Sequence, residues 1–332
     1  RTLSSIEHIR QRPGMYIGRL GNGSHPEDGI YILLKEVIDN SIDEFMEGNG
    51  SKIIVTLDGQ KCSVRDYGRG IPLNKLIECV SVINTGAKYD NEAFQYSVGL
   101  NGVGTKAVNA LSSYFEITSW REGEYMNAVF ERGELVHKEK GKGEEPNGTF
   151  VSFIPDDDPA IFGKYTYNED YIKERLWNYA YLNKGLIISF NGKTIKSAGG
   201  LMDLVKKILG DDGLYPLINY KSRNLEFSFT HTNGYGESYH SYVNGQYTSD
   251  GGTHEAAFKE GVLKGINEYF HKSWAAPEIR DGIVATVAIK VMNPVFESQT
   301  KNKLGNTDVR AWIVPEVKAA VIDVLMKNKE IA

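Results

Sequence analysis

From Ile30 to Phe45 the residues Ile30, Leu33, Leu34, Val37 and Phe45 recur at helical spacing, with Ser41 in the same row. Glu36, Asn40, Asp43 and Glu47 fall on the opposite stripe, because residues three and four apart share a helix face. The pattern then switches to period two. IIVTLD (Ile53–Asp58) and KCSVRD (Lys61–Asp66) flank Gly59-Gln60 and predict a β-hairpin. Further on, FEITSW, MNAVFE, ELVHKEK and GTFVSFIP alternate as strands, and Tyr171–Leu182 and Leu201–Leu209 read as helices. GDDGLYP (210–216) is the best linker candidate. Beyond it come strands over Leu225–Thr230 and Ser238–Val243, a long helix Thr253–His271 and a strand Ile283–Val291. Strand, helix and strand in that order predict a crossover unit. At 332 residues the chain is expected to split in two, 1–212 and 213–332. The fold class expected is α+β: a sandwich of helices over a mixed sheet, then a smaller α/β domain.

Three short segments of the first third carry the chemistry. In KEVIDNSIDE (Lys35–Glu44), Glu36 and Asn40 lie one turn apart. A solvated polar face is the plain alternative, but an amide is a mediocre helix former. Its oxygen is a good hard ligand for Mg²⁺, which takes few protein ligands beside phosphates and waters. Glu36 would then stand beside that metal, placed to take a proton from an attacking water. In RDYGRGIP (Arg65–Pro72) the strand ends in Asp66, followed by Gly68, Gly70 and Pro72. A carboxylate at a strand end can accept the exocyclic amine of adenine, and glycines let backbone approach a flat ring. An ordinary Asp-Gly-Pro turn remains the alternative.

The third segment, GLNGVGTKAVNALS, sets Gly99, Gly102 and Gly104 before an apolar helix, Ala107–Leu111. Helix N-terminal amides favour phosphate there. Two familiar motifs nearly match here, and the stretch is assigned to neither. Gly99-x4-Gly104 is followed by Thr105-Lys106, the reverse of what a P-loop requires. Gly102-x-Gly104-x-x-Ala107 fits the relaxed dinucleotide pattern, yet the preceding DNEAFQYS is polar rather than a buried strand. A dinucleotide-dependent oxidoreductase also needs an acidic residue roughly twenty positions on. Glu122 and Glu124 lie near that spacing, in a turn-like REGE. Asn84–Lys88 reads as part of a lid.

These residues, in this order, resemble the GHKL (Bergerat-type) ATPase superfamily. RPGMYIG (Arg12–Gly18), GGTHEAAF (Gly251–Phe258) and FESQTKNKLGN (Phe296–Asn306) narrow the resemblance to the ATPase region of bacterial type IIA topoisomerase B subunits, gyrase or topoisomerase IV. It covers essentially the whole chain. A mismatch-repair or chaperone clamp of the same superfamily would share the first-domain site but lack QTK in this context. The resemblance implies a GHKL sandwich followed by a transducer domain of ribosomal-protein-S5-like type. It makes Glu36 the catalytic base, Asn40 the Mg²⁺ ligand and Asp66 the acceptor of the adenine amine, with Thr149 sharing its water network. Arg69, Gly70, Ile71 and Pro72 line the pocket. Lys88 and the loop Gly99, Leu100, Asn101, Gly102, Val103, Gly104 hold lid and phosphates. Gln299 and Lys301 reach the γ-phosphate from the second domain, and Arg121 stands at the pocket mouth, near where coumarin-type inhibitors bind. ATP and Mg²⁺ are the implied cofactors. Double-stranded DNA, the topoisomerase A subunit and a second copy of the chain, dimerising on ATP, are the implied partners. Two positions depart from the family: Asn101 stands where a histidine is usual, and Ile32 where bacterial members commonly prop the base with a histidine. TKAVNALS and Asn101 tilt the resemblance toward topoisomerase IV.

Composition changes this picture little. A net charge of −5 gives no global electrostatic footprint for DNA, so any DNA contact must be a local patch. Two cysteines, Cys62 and Cys79, argue for a reducing cytoplasm rather than a disulfide framework. No stretch reads as a secretory or membrane segment. The start at Arg1 and the helical ending lead us to expect a piece of a longer protein whose dimerisation arm, before RPGMYIG, is truncated. The many tyrosines read as half-buried packing rather than a platform for bases.

Overall fold

The computed structural model describes residues 4–81, 103–297 and 301–332. The chain divides into two compact units, Arg1–Ser197 and Ala198–Ala332.

The first unit opens with two short helices, α1 (Ser5–Gln11) and α2 (Gly14–Ile17), then the long α3 (Gly29–Met46). The hairpin of β1 (Lys52–Asp58) and β2 (Lys61–Asp66) follows, with α4 (Leu76–Ser81) and α5 (Gly104–Ala110). Next come β3 (Ser112–Arg121), β4 (Glu124–Glu131), β5 (Glu134–Lys142), β6 (Gly148–Pro155) and α6 (Glu169–Leu182). Two short strands, β7 (Ile187–Phe190) and β8 (Lys193–Ile195), end the unit. The strands form one sheet in the order β5-β4-β3-β6-β2-β1-β7-β8, antiparallel except where β1 pairs with β7. Alternate strand positions (Ile53, Val55, Cys62, Val64, Phe115, Ile117, Val151, Phe153) join residues of α3, α5 and α6 in one core. The helices-over-sheet architecture is the expected one. Glu122 and Gly123, of the REGE segment, are the turn between β3 and β4, with Glu122 at φ 50°.

Tyrosines act as packing. Tyr31 meets Tyr167 and Tyr171 edge-on, with ring centres 5.5 and 5.6 Å apart. Cys62 is buried, Cys79 half-buried, and both are free thiols.

The second unit comprises α7 (Leu201–Leu209), β9 (Ile218–Lys221), β10 (Leu225–His231), β11 (Ser238–Val243), β12 (Gln246–Tyr247), α8 (Thr253–Phe270), α9 (Ala276–Arg280), β13 (Ile283–Ile289) and α10 (Arg310–Lys327). The unit begins upstream of GDDGLYP because α7 packs against β10 and β13. The sheet order is β12-β11-β13-β10-β9. β11 and β13 run parallel, Ser238 opposite Val284, with α8 between them in sequence, as the crossover reading requires. α8 stops at Phe270 because His271 turns left-handed, at φ 53°. Its Gly261 lets α10 approach closely: a Cβ there would lie 2.6 Å from the Cβ of Val317.

Candidate nucleotide site

Helix α3 is buried almost all round. Ile32, Glu36, Asn40 and Glu44, four residues apart, make its half-open stripe. The solvated face suggested by the 36/40/43/47 pattern is therefore narrower than expected: Asp43 is only 2% exposed, inside the fold, and Glu47 lies beyond the helix end. Glu36 and Asn40 face the start of α5. A Cβ on Gly104 would come 2.3 Å from Oε2 of Glu36, so a larger residue there would push the carboxylate aside. The Asn40 amide nitrogen donates to Thr105 Oγ1 at 2.7 Å, leaving the amide oxygen as acceptor. α5 begins at Gly104 rather than at Ala107, and no side chain caps it at Val103.

Asp66 closes β2 with its carboxylate buried. Oδ2 accepts from Ser41 Oγ at 2.8 Å and from Thr149 Oγ1 at 2.6 Å. Oδ1 accepts the backbone N–H groups of Gly68 and Thr149 at 3.1 and 3.2 Å. Thr149 thus touches Asp66 directly. The loop after Asp66 is equally fixed. Gly70 sits at φ 78°, and a Cβ there would meet the Trp120 carbonyl at 2.6 Å and Arg121 Cγ at 2.8 Å. The Ile71 N–H donates to Ser119 Oγ at 2.8 Å, and that hydroxyl donates back to the Ile71 carbonyl at 2.7 Å. Arg121 therefore borders the loop of Arg69–Pro72.

Four contributors escaped the sequence reading. Ser41 was the one hydroxyl in an apolar row, and that mismatch was its signal. Glu44 continues the 36/40 spacing and grips Arg69 with both oxygens, at 3.1 and 3.0 Å. Arg65 is buried between the rings of Tyr67 and Trp120, 4.2 and 4.3 Å from their centres, and donates to the Pro146 carbonyl at 2.7 Å. Ser119 had no local sign. Lys88, Gly99, Leu100, Asn101, Gly102 and Gln299, with the lid segment Asn84–Lys88, lie outside the described residues. Among the described residues no group of three or more His, Cys, Asp and Glu side chains could hold a metal.

In the second unit, two motifs fold against one another. Leu304, fully buried, bridges Gly252 and Phe296. Leu304 N–H donates to the Gly251 carbonyl at 3.2 Å, Thr253 N–H to the Leu304 carbonyl at 3.1 Å, and Asp250 N–H to the Asn302 carbonyl at 2.9 Å. Gly252 is at φ 135°, and a Cβ on it would meet the Leu304 nitrogen at 2.5 Å. GGTH is thus a clasp for the segment that carries Lys301, which is half-buried with φ 59°. Below the clasp, His254 Nε2 meets Thr248 Oγ1 at 3.1 Å, and burial pushes its pKa down to about 3.

A buried carboxylate at a strand end, a glutamate–asparagine stripe and a glycine helix start lie around α3, within the residues that a nucleotide-hydrolysing family matches. The family described as histidine kinase-, DNA gyrase B-, and HSP90-like ATPase matches residues 25–159, and the DNA gyrase B family matches residues 169–332. The ATPase domain of Thermus thermophilus gyrase B, solved with an aminocoumarin, superposes with TM-score 0.77 at 30% identity, covering 99% of this chain and 92% of that one. The chain belongs to the family of gyrase and topoisomerase IV B-subunit ATPase regions. The B subunit of DNA topoisomerase 4 from Borreliella burgdorferi is 54% identical over the whole of this chain and 55% of its own length. The B subunit of DNA gyrase from Thermotoga maritima is 35% identical, over the whole of this chain and 57% of its own length. The chain thus spans a little over half the length of these relatives.

Proposed function

We propose that the first unit binds ATP with Mg²⁺ and hydrolyses it, and that the whole protein uses this cycle for type II topoisomerase strand passage. The observation that carries the reading is the Glu36 carboxylate lodged against Gly104 at the start of α5, on the same stripe as Asn40. Glu36 takes the proton of the attacking water. Asp66, with Ser41 and Thr149, reads the adenine edge, while Arg69, Gly70, Ile71 and Pro72 form the wall. Asn40 offers its amide oxygen to Mg²⁺, whose chemistry is to neutralise phosphate charge in phosphoryl transfer. On sequence pattern, Lys88, the loop Gly99–Gly104 and Gln299 hold the phosphates, and Lys301 is the γ-phosphate sensor. A sensor that meets ATP but not ADP biases a two-state arrangement, here closure of a self-dimer around a DNA duplex.

The partner reading extends to double-stranded DNA, an A subunit and coumarin-type inhibitors at the Arg121 side of the pocket. The higher identity to a topoisomerase IV relative favours decatenation over supercoiling. Among the described residues no helix is long and apolar enough to cross a membrane, and a cytoplasmic location completes the proposal.

The test is phosphate release from ATP and GTP, with and without Mg²⁺, followed by decatenation and supercoiling assays on the full protein with its A subunit. Mg²⁺-dependent hydrolysis of ATP over GTP is expected. Equal handling of the two nucleotides sinks the base-reading assignment, and no hydrolysis at all sinks the function.

A further inference from the structure

The apolar pattern of α3 does not single out one rotation of the helix. Ile30, Leu33, Leu34, Val37, Ile38 and Ile42 are all buried, so hydrophobic side chains surround most of its axis. Directional bonds must choose the rotation that opens Glu36 and Asn40 to the site. At about 100° per residue, they flank the open stripe on both sides. On one side Ser41 donates to Asp66, and at the stripe's own end Glu44 accepts from Arg69. On the other, Lys35 and Asp39 form an ion pair at 2.7 Å with side chains only 8% and 3% exposed. Tyr179 of α6 closes this second side by donating its hydroxyl to the other Asp39 oxygen at 2.5 Å. Tyr179 stays a neutral donor, its pKa raised well above the ordinary value by burial and by the Asp39 charge.

We infer that Lys35, Asp39 and Tyr179 are positioning residues that set the rotation of α3 and so aim Glu36 and Asn40. The inference rests on Glu36 acting as the base of the proposed ATPase. Ile32, one turn before Glu36, is half-buried against the apolar core and supplies no polar side-chain support. A buried ion pair is a poor source of stability, because desolvation offsets its attraction, but it enforces geometry when fully hydrogen-bonded. Here both Asp39 oxygens have donors and the lysine has its carboxylate. Removing Lys35 alone would strand a buried carboxylate, so the informative variants delete a donor or the entire set.

The experiment measures ATP turnover, ADP affinity by calorimetry and thermal melting for two variants of the chain. Tyr179→Phe is expected to lower kcat by about 10-fold or more, with KM and ADP affinity within about twofold, because misaim of a catalytic group costs rate rather than binding. The apolar triple Lys35→Met, Asp39→Leu, Tyr179→Phe is expected to melt at or above the unaltered chain. It should still turn over about 10- to 100-fold more slowly. A purely stabilising network predicts the reverse: a well-folded triple recovers full kcat. Unaltered kcat in either variant overturns the inference, and so does a fall in ADP affinity that tracks the fall in rate. If the triple does not fold, Tyr179→Phe decides alone. An unaltered chain that hydrolyses no ATP removes the enzymatic reading itself, which is a separate outcome.

Discussion

The two units bury polar side chains to different ends. In the first, the buried Asp66 gathers two hydroxyls and two backbone N–H groups at the end of β2, where the chain turns into the glycine-rich loop. In the second, His254, Thr248 and Ser241 are as deeply buried, but their bonds run to one another, to the Ser241 carbonyl and to Glu255. On the proposed function one set presents chemistry to a ligand, whereas the other stiffens a clasp that displays a neighbouring segment. Burying a polar group costs a comparable amount in either place unless it is hydrogen-bonded. Substitutions in the first unit should therefore change binding and turnover, and those in the second should change stability and, through Lys301, turnover alone.

The largest effect should come from Glu36→Ala. General-base catalysis contributes about 10²–10⁴-fold, so turnover falls by that factor. As the proposed base Glu36 would act on water and not on the nucleotide, so ADP affinity by calorimetry should hold within a few-fold. A variant that loses ADP binding as badly as hydrolysis makes Glu36 a structural residue.

Glycine substitutions sharpen the contrast between units. Gly252→Ala forces a Cβ to 2.5 Å from the Leu304 nitrogen at a φ that L residues rarely adopt. It should cost at least about 1–3 kcal/mol of unfolding free energy. ADP affinity should stay normal while hydrolysis is lost with the clasp. Gly70→Ala meets the Trp120 carbonyl at 2.6 Å and should weaken ADP binding instead. Gly14→Ala, with no atom within 4 Å of its added carbon, is the control. If Gly252→Ala weakens ADP as much as Gly70→Ala does, the division of labour is wrong.

How far the sequence foretold this contrast depends on length and on partners. α3 and the β1–β2 hairpin were legible because long periodic runs constrain register, and Ser238–Val243 matches β11 end to end. β7, β8, β9 and β12 have four, three, four and two residues, too few alternations to rise above the background. In the site, Glu36 and Asn40 declared themselves by spacing on one helix. Glu44 did not, because Arg69 lies 25 residues away and only the fold brings them together. Asp43 falls on the polar stripe by spacing yet is buried, because α3 is covered on more sides than an amphipathic pattern implies. The Gly252–Leu304 clasp was invisible for the same reason as Glu44: each motif stands out alone, and the bond between them is tertiary.

A smaller effect is expected at Asp66. In Asp66→Asn the amide oxygen can keep the Gly68 and Thr149 N–H groups, and the Ser41 and Thr149 hydroxyls can rotate to accept from the new NH₂. The fold should survive. Both protons of the new NH₂ are then taken by the two hydroxyls, so the face offered to adenine loses its acceptor and leaves the exocyclic amine unmatched. The mismatch should weaken ATP by about 1–3 kcal/mol, roughly 5- to 150-fold, by calorimetry. The preference for ATP over GTP should shrink with it. Unchanged ATP affinity would break the claim that the first unit's buried carboxylate serves a ligand.

The smallest predicted effect belongs to His254, and it tests whether the second unit's buried polar groups serve stability. Thr248 Oγ1 donates to the Ser241 carbonyl at 2.7 Å, so it accepts from His254 Nε2–H. Nδ1 then carries a bare lone pair with no hydrogen-bond partner. Protonating it would bury an N–H and a charge together, which is why burial holds the pKa at about 3. An unfolded histidine titrates near 6.5, so between pH 6.5 and 3 the unfolded chain binds the extra proton. Stability is full above that window and falls as pH drops through it. At pH 5.5 the loss amounts to about 1.3 kcal/mol relative to pH 7. Burial lowers the pKa of His231 too, so that residue adds in the same direction. Urea unfolding at pH 7 and 5.5 checks this, with His254→Gln as the comparison. The variant should be less stable at pH 7 yet lose less on acidification, because a neutral amide cannot take the proton. Identical acid sensitivity in both proteins would mean that His254 is already charged or hydrated in the fold, and that the clasp rests on backbone bonds alone.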